Sequence, residues 1–130
     1  MAKLIHAMVR VRDIARSKEF YGDILGCQES HRMDFPLFTL VYLREPESGF
    51  EVELTLNKDQ THPYTHGTGY GHLAFCADDL EAVHELCELR GFTPGAIKTL
   101  ATTNGAARFF FVSDPDGYKI EVLKKGGHYQ

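Results

Sequence analysis

Two stretches of this chain carry the same pattern of apolar and polar positions. Residues 4–12 alternate: Leu4, His6, Met8, Arg10 and Arg12 fall on one face, and Ile5, Ala7, Val9 and Val11 on the other. That spacing predicts a strand with one apolar face. Asp13 follows it, and its carboxylate can accept hydrogen bonds from the free amides of a helix start. Ile14, Phe20, Tyr21, Ile24 and Leu25 then recur at roughly helical spacing until Gly26 stops the run. Residues 27–33, 37–44 and 50–56 read as three further strands, parted by turn signals at Phe35-Pro36 and Glu45–Gly49. The first module, residues 1–57, is therefore βαβββ.

Residues 58–69 hold Asp59, Pro63, Gly67 and Gly69 and read as a linker. The pattern then restarts, giving a second module over 70–124. Tyr70–Cys76 reads as a strand with His72 near its head. Asp79 is placed to cap a helix carrying Leu80, Val83, Leu86, Cys87 and Leu89, and Gly91 ends it. Strands are expected at about 92–98, 106–112 and 118–124, the last two joined by a turn at Asp114-Pro115-Asp116-Gly117. Residues 124–130 read as a solvated tail. The fold class is α+β, one module written twice. A module of about 60 residues buries too little surface to be stable alone, so two copies must share a core, within or between chains.

Composition narrows the function classes. The 130 residues are 43% hydrophobic and 25% charged, with a net charge of −4. Nothing favours nucleic acid or an anionic membrane. No apolar run is long enough for a transmembrane span, and the start has no signal-peptide core, so a cytoplasmic location is expected. Cys27, Cys76 and Cys87 are odd in number and form no CxxC, which fits reduced thiols. Cys76 shares a strand face with His72, and is read as a small packing residue.

Superposing the copies sets His6 on His72 and Glu53 on Glu121. His6 and Glu53 are 47 residues apart, and His72 and Glu121 are 49 apart. A lone strand histidine is usually structural, and a lone strand glutamate usually faces solvent, as Glu51 can here. The repeated pair is what shifts the balance. Two imidazoles and two carboxylates suit zinc, nickel, cobalt or iron, and in octahedral coordination they leave two positions open for water or substrate. His62 and His66 are four apart but are interrupted by Pro63, so they read as loop residues. His31, His84 and His128 lack any partner pattern. The Gly67–Gly71 run opens a strand and lacks the Lys-Ser/Thr end of a phosphate loop.

HAMVRVRDIARSKEFYGDILG from His6, VELTLN from Val52, GTGYGHLAF from Gly67 and DPDGYKIEVL from Asp114 together resemble the glyoxalase I (lactoylglutathione lyase) family of the vicinal oxygen chelate superfamily, over about residues 4–124. The resemblance implies paired βαβββ modules whose curved mixed sheets enclose a metal held by His6, Glu53, His72 and Glu121. It implies a homodimer in which each site takes His6 and Glu53 from one chain and His72 and Glu121 from the other. It puts Arg10 and Asn57 against the γ-glutamyl end of glutathione. Arg10 offers a charged fork for a carboxylate, and Asn57 can both donate and accept. The implied reaction isomerises the hemithioacetal of methylglyoxal and glutathione to S-lactoylglutathione through an enediolate, with Glu121 as base and Glu53 as its symmetric alternative. The compact chain is more similar to the bacterial type, which favours nickel or cobalt, although zinc suits the same ligands.

One stretch departs from the pattern. Glutathione-using members often carry a lysine about 18 residues before the last ligand, where this chain has Thr103-Asn104-Gly105-Ala106. Lys98 or Arg108 are the nearby substitutes. One face of Phe109–Phe111 is expected to line the pocket. The rival readings are another metalloenzyme of the superfamily, such as an epimerase or extradiol dioxygenase, and a metal-free binding protein. A fourth ligand, Glu53, counts against the dioxygenase, and retention of all four counts against the binder.

Overall fold

The computed structural model describes residues 1–103 and 105–130. Among the described residues, eight strands and two α-helices form two compact units, Met1–Thr65 and His66–Gln130. Among the described residues, no helix is long and apolar enough to cross a membrane.

The first unit holds β1 (His6–Val11), α1 (Ile14–Lys18), β2 (Gln28–Asp34), β3 (Phe38–Arg44) and β4 (Glu51–Asn57). Its sheet order is β1-β4-β3-β2, with β1 parallel to β4 and the other pairs antiparallel. The apolar face expected of β1 is the buried one, with Val9 and Val11 packed inside. Val41, Leu43, Val52 and Leu54 join them from β3 and β4. Asp13 caps α1 by accepting from the Arg16 amide at 3.0 Å.

The helical run differs from the expectation in its second half. After α1 the chain widens into a π-helical segment, Glu19–Ile24. The Leu25 amide donates to the Phe20 carbonyl at 3.3 Å, five residues back. Phe20 and Tyr21 are adjacent in sequence, yet both are fully buried, with their rings edge to face at 5.0 Å.

The second unit repeats the plan. It holds β5 (Leu73–Ala77), α2 (Leu80–Leu89), β6 (Lys98–Thr102), β7 (Gly105–Ser113) and β8 (Lys119–Lys124), in the order β5-β8-β7-β6. β5 runs parallel to β8, as β1 does to β4. Asp79 caps α2 through the Ala82 amide at 3.0 Å. Leu80, Cys87, Phe110, Val112, Ile120 and Val122 form the buried core.

Two expectations are corrected here, while the tail after Lys125 is exposed as expected. The strand placed at 92–98 begins only at Lys98. Phe92 instead closes α2, its amide donating to the Cys87 carbonyl, and Pro94 lacks an amide for a ladder. Gly95 then binds the Phe111 carbonyl at 2.8 Å. β5 begins at Leu73, so His72 precedes the ladder and does not sit inside it. The tail after Lys124 is closed by a bridge between Gly126 and Tyr129.

The Asp114–Gly117 turn is built as its sequence suggests. One Asp114 carboxylate oxygen accepts from the Asp116 and Tyr118 amides, both at 2.9 Å. Gly117 takes φ +86°, a conformation that side chains resist. This turn, with Asp114 buried, fixes the register of β7 on β8.

Candidate metal centre

Register decides where the candidate ligands fall. In the first unit Glu53 of β4 lies opposite Met8 of β1, and His6 is two residues before Met8. In the second unit Glu121 of β8 lies opposite Ala74 of β5, and His72 is two residues before Ala74. The offset is identical in both. Residues two apart on a strand share a face, so each His meets its Glu diagonally across a parallel strand pair.

The donor atoms are close in each case. His6 Nε2 is 2.9 Å from Glu53 Oε2, and His72 Nε2 is 3.6 Å from Glu121 Oε1. Two donors side by side on one cation, each about 2.1 Å from it, sit roughly 3.0–3.4 Å apart. The two separations fall just either side of that range, and both pairs match a divalent metal by donor type. Neither suffices alone, and among the described residues no group of three or more His, Cys, Asp or Glu is assembled. Each unit presents one His–Glu pair.

Aromatic rings flank both pairs. Tyr42 of β3 lies opposite Glu53, and its ring meets His6 edge-on at 5.7 Å. Phe111 of β7 lies opposite Glu121, and its ring meets His72 edge-on at 5.3 Å. Burial and the nearby Glu53 and Glu51 carboxylates push the Tyr42 phenol above its ordinary value. The sequence reading missed Tyr42; alternation marks β3 but does not say which β4 residue it opposes.

The remaining candidates divide. Arg10 lies two residues beyond Met8 on the His6 face, opposite Thr55. Asn57 ends β4 on the Glu53 face and donates to the Tyr64 hydroxyl at 3.4 Å. Phe109 and Phe111 share the Glu121 face, while Phe110 is core. Glu51 pairs with Arg44 at 3.4 Å and accepts from Ser30, so it stands apart from the His6 pair. Arg108 is engaged by Glu81, which lowers the Glu81 carboxyl below its ordinary value through that hydrogen bond. Lys98, opposite Phe109, is on the Glu121 face. Of the divergent loop at Thr103–Ala106, Asn104 lies outside the described residues.

Two lesser expectations change, and His66 lies in a loop as expected. Cys76 is exposed, opposite Leu123, and so is not a packing residue. His66 stacks flat on Tyr118 at 4.2 Å. His84 is partnered after all, with Nε2 2.9 Å from the Gly95 carbonyl and Nδ1 3.0 Å from Glu88.

Similarity to known proteins agrees with this geometry. Residues 3–122 match the glyoxalase/bleomycin resistance protein/dioxygenase superfamily. The chain is 38% identical over 128 residues to lactoylglutathione lyase of Haemophilus influenzae, covering 94% of this chain and 92% of that protein. It is 36% identical over 129 residues to the Neisseria meningitidis serogroup A lactoylglutathione lyase, covering 95% and 91%. Among solved structures, a trypanothione-dependent glyoxalase I of Leishmania major superposes with a TM-score of 0.77 at 33% identity, covering 95% of this chain and 87% of that one. Glyoxalase I of Zea mays superposes with a TM-score of 0.82 at 30% identity; this chain spans 96% of itself but only 45% of the maize chain.

Proposed function

Because the chain belongs to the glyoxalase/bleomycin resistance protein/dioxygenase superfamily, we propose that it is a lactoylglutathione lyase whose two His–Glu pairs together hold one divalent metal. The observation that carries this reading is the shared offset: in both units the Glu lies opposite the residue two beyond the His. Chance would have to set the same diagonal twice. With two donors per unit, a full set of four requires two half-sites. We take these from two copies of the chain, His6 and Glu53 from one and His72 and Glu121 from the other. Nickel or cobalt is the assigned metal, and zinc is admitted by the same donors.

The substrate is the hemithioacetal of methylglyoxal and glutathione. The metal, when bound, supplies Lewis-acid polarisation of the substrate oxygens. The protein supplies the rest. Glu121 takes the proton from C1 and returns it to C2, while the hydroxyl proton passes from the C1 oxygen to the C2 oxygen. No atom is gained or lost, and the product is S-lactoylglutathione. A single carboxylate serves because it is a base before the transfer and an acid after it. Arg10, on the same face as His6, binds a carboxylate of the thiol through its guanidinium, and Asn57 orients it. Phe111 and Phe109 on the Glu121 face exclude water from the carbanionic carbon.

Turnover tests this. Glu121→Gln keeps the shape and removes the base, so kcat should fall about 10²–10⁴-fold with the fold intact by circular dichroism. Arg10→Ala should raise KM for the hemithioacetal more than it lowers kcat. Unchanged turnover in Glu121→Gln would overturn the assignment of the base.

A further inference from the structure

The two repeats carry opposite charges at one matched position. Two residues before each candidate ligand glutamate, and so on the same strand face, β4 has Glu51 and β8 has Lys119. Glu51 is engaged by Arg44 at 3.4 Å and by Ser30. Lys119 is exposed and, among the described residues, has no carboxylate partner. Ile120 and Val122 are fully buried on the other face of β8, so Lys119 stands with Glu121. Its ammonium lies over the Phe111 ring, 5.2 Å from the centroid, and that ring meets His72 edge-on at 5.3 Å. The electron-rich face of the ring attracts the cation and favours this position. Beside the second His–Glu pair there is therefore an aromatic wall with a positive charge resting on it.

A methyl group gains nothing from an ammonium. Seated against one, it strips water from the charge and gives no partner in return. A carboxylate supplies both the opposite charge and a hydrogen-bond acceptor. One ammonium balances one carboxylate, whereas a phosphate dianion would keep a surplus. Resting on the lyase reading above, which gives the thiol to Arg10 and Asn57, we infer that Lys119 receives the substituent contributed by the aldehyde and selects 2-oxoaldehydes that carry a carboxylate. Lys119 is thus a specificity-determining residue. It extends the substrates beyond methylglyoxal and takes no part in the proton transfer. The carboxylate it holds is a spectator, so the isomerisation itself is unchanged. The first repeat cannot offer the same contact, because its matched residue is an acid already paired with Arg44.

The test compares ligands that differ by one charge. The glutathione hemithioacetals of phenylglyoxal and 4-carboxyphenylglyoxal share a ring and differ in the carboxylate at its far end. Their kcat/KM values are measured with Ni²⁺-loaded, full-length wild type, Lys119→Met and Lys119→Glu. Affinity is measured by calorimetry with S-benzylglutathione and S-(4-carboxybenzyl)glutathione, thioethers that cannot isomerise. The readout is the ratio of the carboxylated member to the plain one, within each protein. Comparing that ratio between proteins cancels whatever the carboxylate does to the reactivity of the ring. Lys119→Met keeps a long apolar side chain against Phe111 and loses the charge. It should lower both ratios about 5-fold, as loss of one exposed charge pair does. Lys119→Glu should lower them further, by repulsion. In wild type the ratios should shrink as added salt screens the pair.

Ratios that are the same in wild type and both variants overturn the inference, even if Lys119→Met slows both aldehydes equally. Such a uniform loss would place the lysine on the thiol or on the reacting carbons. In that case the lyase reading stands, provided that wild type isomerises the hemithioacetal of methylglyoxal. If Ni²⁺-loaded wild type isomerises none of the three hemithioacetals, that reading fails and the inference falls with it.

Discussion

The three cysteines show how far local environment separates chemically identical side chains. Cys27 and Cys87 are buried, and burial pushes their thiols up, to about 12 and about 11. Cys76 is exposed on the strand that follows His72. Only a thiolate alkylates readily, so iodoacetamide should add one label quickly to native protein and three after unfolding, counted by mass spectrometry. Cys27 also sets a pH dependence. Its folded value lies above the ordinary 9.0, so above that pH the unfolded chain releases a proton that the folded chain keeps. Stability is whole below about pH 9 and should fall as pH climbs toward 12. Urea midpoints across that range should fall less steeply in Cys27→Ala. The alternation of residues 70–76 put Cys76 on the His72 face, yet the sequence did not disclose its exposure, which depends on what covers that face. Tyr42 was equally hidden. Its meaning comes from standing opposite Glu53, a cross-strand register that no single-strand pattern contains.

Elements with local causes were legible, and those with tertiary causes were not. Both aspartate caps were, because a carboxylate before an apolar helical run satisfies amides that nothing else can reach. Asp79→Ala should cost about 1 kcal/mol of unfolding free energy by urea titration. The Asp114 turn was also legible, and it matters more. Its buried carboxylate accepts two amides and sets β7, with Phe111, against β8, with Glu121. Asp114→Ala should cost roughly 2–3 kcal/mol, since two buried amides lose a charged partner. The π-helical segment was invisible. The helical spacing of residues 14–25 is real, but nothing in it marks where the turn widens around the buried Phe20 and Tyr21. The misplaced sixth strand has a simpler cause: Pro94-Gly95 outweighs the apolar residues around it.

At the scale of the whole molecule the repeat was the strongest signal in the sequence, because it turned four weak candidates into two matched pairs. Register then made the match geometric, with the same diagonal in both units. The proposed pairing of half-sites across two chains makes a prediction of its own. His6→Ala disables the first half-site and Glu121→Gln the second, so each variant alone is inactive. Mixed by co-expression, heterodimers contain one site built from two intact halves. About one quarter of wild-type turnover should return, whereas sites built within one chain would recover none.

The central claim is that the two pairs hold one metal that supports hemithioacetal isomerisation. It is tested most directly by titrating chelator-stripped protein with Ni²⁺ while following formation of S-lactoylglutathione. Activity should be absent at the start, rise with added metal and level off near one Ni²⁺ per chain. Full turnover before any metal is added, or a metal-saturated protein that leaves the hemithioacetal unchanged, would contradict it.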